Sequence, residues 1–494
     1  MVGRLITMRA LVLALVIHYA QRAGAQEFYY TPGPLHSQMV QPQPQPGADA
    51  PYLHSYYDSA ALQAAQAVPT VPLPLTSPAV NDRLAKLEKR LDTVEATERK
   101  LPSVTINGAF QADAVLFSQT DESRDQFGSI ENGAAFRRTR LSANGSVSNS
   151  MNYFLQMDFG FFGRPTFTDV WVEQTRVPLL GTVRAGQWKQ PFSLEVASSY
   201  RYTTFMERSS LFQTFTPFRH IGVGFYNNSE DLNTTWAASY FRTGQDQFGN
   251  SLSTDGGNGV AGRLTHLLWY CGQYGEDYMH VGGGYYMNSP PNDNARFRSI
   301  PEIFVGEFAP GSVGSSGQAV PGALNGTPFF VDTGTISDVS DIQTFGLEGL
   351  WVRGPLSLQT ETMAAVVDQD APTSVLAGSY VQAGYFLTGE HRPYDRKAGA
   401  INRVMPFNCV GNGGLGALEL AGRWSYVDLD SHSIRGGNME NLTTGVNWYL
   451  NPYCKWVFNY IHSWTEGRDY FPAPTNTAVS SQTDAFATRV QLDF

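Results

Sequence analysis

The chain has 494 residues, of which 42% are hydrophobic, 13% aromatic and 16% charged, with 48 glycines and a net charge of −10. Beyond the N-terminus no apolar run reaches the roughly 18 residues that a membrane helix needs, which excludes a helical membrane bundle. No dense basic stripe is present, which excludes nucleic-acid binding. High aromatic and glycine content with low charge suits an all-β protein, and an outer-membrane barrel in particular. A large soluble β-sandwich or β-helix is the competing architecture.

Residues 1–25 read as a secretory signal, with Arg4 and Arg9 before an apolar core from Ala10 to Ala20, and Ala23-Gly24-Ala25 as the cleavage site. Export follows, and with it a periplasmic, surface or outer-membrane address. Residues 26–80 form a Pro/Gln-rich spacer, with Pro42, Pro44 and Pro46 alternating with Gln. Such a segment cannot bury enough apolar area to offset its chain entropy, so it is expected to be disordered. Residues 81–101 read as a short coiled coil, with Asn81 or Asp82 as N-cap and Leu84, Leu87, Leu91 and Val94 at a and d positions. An ordinary surface helix is the alternative, and Pro102 ends it in either case.

From residue 102 to 494 the period changes to two. Val104, Ile106 and Phe110 share one parity, and Tyr153, Leu155 and Met157 another against Gln156 and Asp158. The last strand is the clearest, with Phe486, Thr488, Val490, Leu492 and Phe494 opposite Ala487, Arg489, Gln491 and Asp493. An apolar face against a charged one fits lipid outside and water inside. The aromatic Phe494 at a strand tip resembles the C-terminal signal of exported barrels. Trp448, Tyr449, Tyr453 and Trp456 around Asn451-Pro452 suggest an interfacial girdle. At about 10 residues per strand plus loops, this length supplies a transmembrane antiparallel β-barrel of about 16 strands.

Within it, Val183–Trp188 reads as a strand, and the stretch after Pro191 is long, aromatic and irregular. In a barrel such a loop can fold inward and narrow the lumen. Residues 101–222 hold 11 basic and 10 acidic side chains, whereas residues 223–494 hold 14 and 26, so the opening part of the barrel is relatively basic.

Other signals are weak. Cys271, Cys409 and Cys454 allow at most one disulfide, spacing does not choose the pair, and free thiols are the simplest reading. Gly411-Asn412-Gly413-Gly414-Leu415-Gly416 matches a nucleotide-binding pattern but opens no helix, so it reads as a loop. The nine His show no metal spacing, and no GxSxG elbow stands out. No cofactor, metal or enzymatic activity is expected.

Several separated motifs over 101–494 resemble the phosphate-selective porin O and P family. They include Phe136-Arg137-Arg138-Thr139-Arg140-Leu141, Met157-Asp158-Phe159, Gly186-Gln187-Trp188-Lys189-Gln190-Pro191-Phe192, Phe205-Met206-Glu207-Arg208-Ser209 and Arg219-His220-Ile221-Gly222. Tyr385–Tyr394 and Leu418–Ser425 look like further family strands, and Gly445–Pro452 like its closing motif. The resemblance implies an outer-membrane barrel, usually trimeric, that passes small inorganic anions such as phosphate.

An anion shedding water at a constriction needs donors in its place, and the planar fork of Arg supplies them in pairs. Strand parity places Arg138 and Arg140 in the lumen with Ser142 and Asn144, and gives Arg137 the wrong parity. Lys189 follows the Gly-Gln-Trp motif, where the family places a basic residue near the constriction. Arg208 and Arg219 lie on the inward loop and its return, although Arg208 could simply pair with Glu207. Asp158, Asp169 and Glu173, if inward, would oppose anion selectivity. The alternative is a general-diffusion or sugar pore with Trp188, Phe192 and Tyr200 as a stacking track. The N-terminal segment could also tether the barrel to the cell wall.

Overall fold

The structure is a computed structural model that describes Lys86 and residues 101–160, 165–244, 253, 255–306, 326–369, 372–432, 434–467 and 480–494. The expected signal peptide at 1–25, the spacer at 26–80 and, apart from Lys86 and Leu101, the coiled coil at 81–101 lie outside the described residues.

Sixteen antiparallel strands close into one barrel. They are β1 (Thr105–Gln119), β2 (Gly133–Ser148), β3 (Met151–Asp158), β4 (Thr166–Val177), β5 (Gly181–Lys189), β6 (Arg219–Asn228), β7 (Thr234–Arg242) and β8 (Asn258–Cys271). The second half comprises β9 (Asp277–Ser289), β10 (Val339–Arg353), β11 (Leu356–Gln369), β12 (Ser374–Phe386), β13 (Ala417–Ser431), β14 (Ile434–Asn451), β15 (Cys454–Glu466) and β16 (Ser481–Asp493). Each strand pairs with its sequence neighbours, and β1 pairs with β16. Closure leaves no open edge, as a sheet surrounded by hydrocarbon requires.

Phe494 completes the seam. It exchanges backbone hydrogen bonds of 3.0 Å with Gly108 in both directions. Its ring covers Gly108, where a Cβ would stand 2.3 Å from the ring. The terminal aromatic therefore locks the last strand to the first.

The two-residue alternation sorts side chains between lipid and lumen. On β16, Phe486 and Val490 face out while Thr483, Arg489, Gln491 and Asp493 face in, so Phe486 is 54% exposed and Arg489 only 1%. One girdle assignment is corrected by the same parity. Trp448 and Trp456 face outward, but Tyr449 points inward against Phe386 and donates to Glu419 at 2.8 Å.

The lumen is largely occupied by the chain itself. Residues 190–218, between β5 and β6, cross the interior as predicted for an inward loop. Helix α1 (Leu194–Ala197) starts where Ser193 Oγ accepts from Val196 N at 3.3 Å, and helix α2 (Ser210–Phe215) ends before Pro217. The loop is pinned to the far wall: Glu195 N donates to Glu361 of β11, and Met206 N to Asn459 of β15, both at 2.9 Å.

Glycines make room for the loop. A Cβ on Gly284 of β9 would lie 2.0 Å from the Phe192 carbonyl oxygen, and one on Gly378 of β12 would lie 3.1 Å from Leu211 and 3.2 Å from Phe215. Residues 290–306 and 326–338 pack beside it, where Glu302 accepts from Ser210 N at 2.7 Å and pairs with Arg423 at 2.6 Å.

A third inward segment was not legible as such. The stretch Tyr385–Tyr394, which resembles a family strand, leaves β12 at Phe386 and enters the lumen from the opposite rim. There Tyr394–Asp395 pairs with Ala400–Ile401 as a separate hairpin. Tyr394 Oη meets His280 Nδ1 at 2.6 Å, and Ile401 N reaches Ser198 Oγ of the 190–218 loop at 3.1 Å. Two inward segments thus touch at mid-lumen. Gly411–Gly416 belongs to a loop, and all three cysteines are free thiols.

Candidate functional site

The five basic residues singled out in the sequence all come to the inner face of the low wall formed by β2 to β6, where β3 has 8 residues and β5 has 9, against 18 in β14. Arg140 Nε donates to Asp158 at 2.7 Å, and Arg219 holds Asp169 through two donors at 2.7 and 3.0 Å. Below them Arg184 pairs with Glu173 at 2.6 Å and lies 3.8 Å over the Trp171 ring. Each inward carboxylate named in the sequence is therefore matched by an arginine.

Lys189 and Arg208 differ. Lys189 Nζ donates to the carbonyls of Ala197 at 3.4 Å and Ser198 at 3.0 Å. Arg208 donates to the carbonyls of Glu195 and Ser198, each at 2.8 Å. Among the described residues neither has a carboxylate within ion-pair distance. Two cations share the Ser198 oxygen at the C-terminal end of α1, where carbonyl dipoles favour positive charge. Lys189 also sits in the positive field of Arg208, Arg219 and Arg140, offset in part by Asp169.

Tyr200 lies among these groups, its ring 4.5 Å from the Arg140 guanidinium and 5.3 Å from that of Arg138. Arg219 and Arg208 rest on the rings of Phe218 and Phe212 at 4.5 and 4.6 Å. Aromatic faces support a guanidinium without consuming its donors, which leaves its edge free for an anion.

The alternative reading, in which Arg208 pairs with Glu207, does not hold among the described residues. Glu207 is instead the shared acceptor of Arg137 at 2.9 Å, Arg138 at 3.3 Å and Arg489 at 2.7 Å. Burial works to raise its carboxyl, but the three arginines outweigh burial and hold it well below the usual carboxylate range. Arg137 reaches Glu207 because the β1–β2 register steps from Gln111↔Arg138 to Ala112↔Phe136, leaving Arg137 in a bulge. The parity argument against Arg137 fails for that reason: an extra residue re-aims the side chain. A second bulge, where Leu155↔Val170 steps to Met157↔Phe167, lies beside Asp169. Neither bulge has a glycine or proline to mark it.

A family model described as phosphate-selective porin O and P matches residues 104–494. The chain belongs to that family. Porin O of Pseudomonas aeruginosa is 24% identical over 425 residues, covering 81% of this chain and 90% of that protein. Among solved structures, an anion-selective porin from Comamonas acidovorans has a TM-score of 0.48 at 12% identity, covering 79% of this chain and 99% of the other. OmpT of Vibrio cholerae, in its trimer form, has a TM-score of 0.46 at 12% identity over the same shares. The protein is thus an outer-membrane porin, a channel and not an enzyme.

Proposed function

We propose that this porin passes small inorganic anions, phosphate among them, through a constriction walled by Arg138, Arg140, Lys189, Arg208 and Arg219. One observation supports the reading: Lys189 and Arg208 donate to backbone carbonyls, and among the described residues neither has a carboxylate within ion-pair distance. An entering anion would meet cations that no carboxylate holds in a direct ion pair. The paired arginines above and below offer weaker stations, and several moderate sites in series favour passage over trapping.

The sugar-pore alternative has less support. Trp188 and Phe192 are 5% and 1% exposed, committed to packing rather than to a stacking track. The porin is proposed to act as a homotrimer in outer-membrane lipid, exported by the segment 1–25. The spacer 26–80 and coiled coil 81–101 are proposed to reach toward the cell wall without contributing to conduction.

Reversal potential in a planar bilayer under a KCl gradient, followed by phosphate titration, tests this. An anion-selective potential with phosphate block is expected, both weakened by Lys189→Ala and Arg208→Ala. A cation-selective potential without block would make the protein a general pore.

A further inference from the structure

The segment between β12 and β13 divides into two halves of opposite chemistry. Residues 390–403 hold Glu390, Arg392, Asp395, Arg396, Lys397 and Arg403, and they supply the hairpin in the lumen. Residues 404–418 hold no charged side chain, and they include the Gly411–Gly416 stretch that matches a nucleotide-binding pattern. This second half lies against the outer surface. The indole of Trp448, which faces away from the lumen, donates to Leu415 O at 2.7 Å. Val410 N donates to Leu450 O of β14 at 2.8 Å, and Gly416 N to Asn408 O at 2.9 Å. The loop is thereby strapped to the outside of the barrel. Gly411 and Gly413 have φ of 91° and 82°, and a Cβ on either would meet nothing within 4 Å. The tip of the loop therefore stands clear of the wall.

What the loop presents is apolar. Leu415 is 82% exposed, Leu387 52%, Phe407 48% and Val410 38%. Phe407 joins the patch at Gly389, where a Cβ would lie 3.6 Å from its ring. The patch continues the lipid-facing belt, because Leu387 follows the outward Tyr385 by two residues and its N–H donates to Leu418 O at 2.8 Å. Two-residue turns at 149–150, 354–355 and 452–453 share this rim, as periplasmic turns of an outer-membrane barrel do. We propose that residues 404–416 are an interfacial anchor seated in the phospholipid of the periplasmic leaflet. Phe407, Val410 and Leu415 reach into the boundary between headgroups and acyl chains, with the Trp448 indole holding the backbone above them. The absence of charge fits that occupant, since an ionised side chain on this half would be costly in hydrocarbon. The same segment thus has one half in lipid and the other in the lumen.

The test places a bimane label at Leu415→Cys, Leu420→Cys or Glu230→Cys in the full chain, with Cys271, Cys409 and Cys454 replaced by Ser. Leu420, outward on β13, is the lipid reference, and Glu230, exposed in the turn between β6 and β7, is the aqueous one. The labelled proteins are reconstituted into vesicles of phosphatidylethanolamine and phosphatidylglycerol. Phospholipid carrying a doxyl group on its acyl chain then quenches from the lipid, and acrylamide on both sides of the membrane quenches from water. The expected result is doxyl quenching at Leu415 that matches Leu420, with most of the acrylamide quenching seen at Glu230 lost. Strong acrylamide quenching without doxyl quenching would overturn the proposal, because the loop would then stand in the periplasm. Protection from both quenchers would also overturn it, since a second copy or another protein would then cover the patch. Val410→Cys gives the same reading at a second position, so poor folding of Leu415→Cys leaves the question decidable.

Discussion

Lys189 and Arg208 meet at one backbone oxygen, that of Ser198, at 3.0 and 2.8 Å. Each is fixed by carbonyls rather than by a carboxylate in direct ion-pair contact. Arg208 differs from Lys189 in geometry: its fork spans the Glu195 and Ser198 carbonyls at once. Arg208→Lys is accordingly expected to keep anion selectivity in a reversal-potential measurement but to weaken phosphate block several-fold, because an ammonium lacks the planar pair of parallel donors with which a guanidinium meets two phosphate oxygens. If Arg208→Lys matches wild type in both, the fork has no role. Arg184 and Arg219 hold carboxylates, and replacing either by Ala would expose Glu173 or Asp169, so their loss should shift selectivity toward cations more than their own charge suggests.

The loop 190–218 behaves as one element because its anchors are spread over the barrel wall. Glu207 ties it to β2 and β16 through Arg137, Arg138 and Arg489. Its carboxyl is depressed in the folded protein, so the anchoring it provides is fully present above the unfolded carboxylate value of about 4.3. It is lost only as pH falls through the lower folded value. Loss of the Glu207 anchor should then contribute no loop-release step to channel conductance between pH 7 and about 4.3. Glu207→Gln removes the shared carboxylate at any pH, a change of the kind that costs about 3–5 kcal/mol when a buried pair is broken. The expected outcome is a larger, noisier conductance and a lower unfolding temperature at neutral pH. Gly284→Val tests the opposite wall: a side chain there collides with the Phe192 backbone, 2.0 Å from the new Cβ. It should displace the loop and raise conductance, and an unchanged pore would show that Phe192 is not an anchor.

At the scale of the whole molecule the barrel closes on itself from β1 to β16, with Phe494 over Gly108. Deleting residues 26–100 should therefore leave conductance and selectivity intact while changing any association with the cell wall; loss of the channel would show that the segment is needed for assembly. The sequence by itself determined the strands and their apolar and polar faces, because alternation of period two is a local property that survives without knowledge of partners, and Phe486 to Asp493 display it residue by residue. It also determined which residues are basic and near the inward loop, since Arg138, Arg140, Lys189, Arg208 and Arg219 sit in short recognisable motifs. Only the tertiary structure decided which of them are neutralised. Glu207 neighbours Arg208 in the chain but binds Arg137, Arg138 and Arg489, because a bulge and the crossing of the lumen bring together residues up to 282 positions apart. The inward turn after Phe386 was hidden for the same reason. Pairing inside a closed barrel is set by distance across the lumen, and the order of residues along the chain does not encode that distance locally.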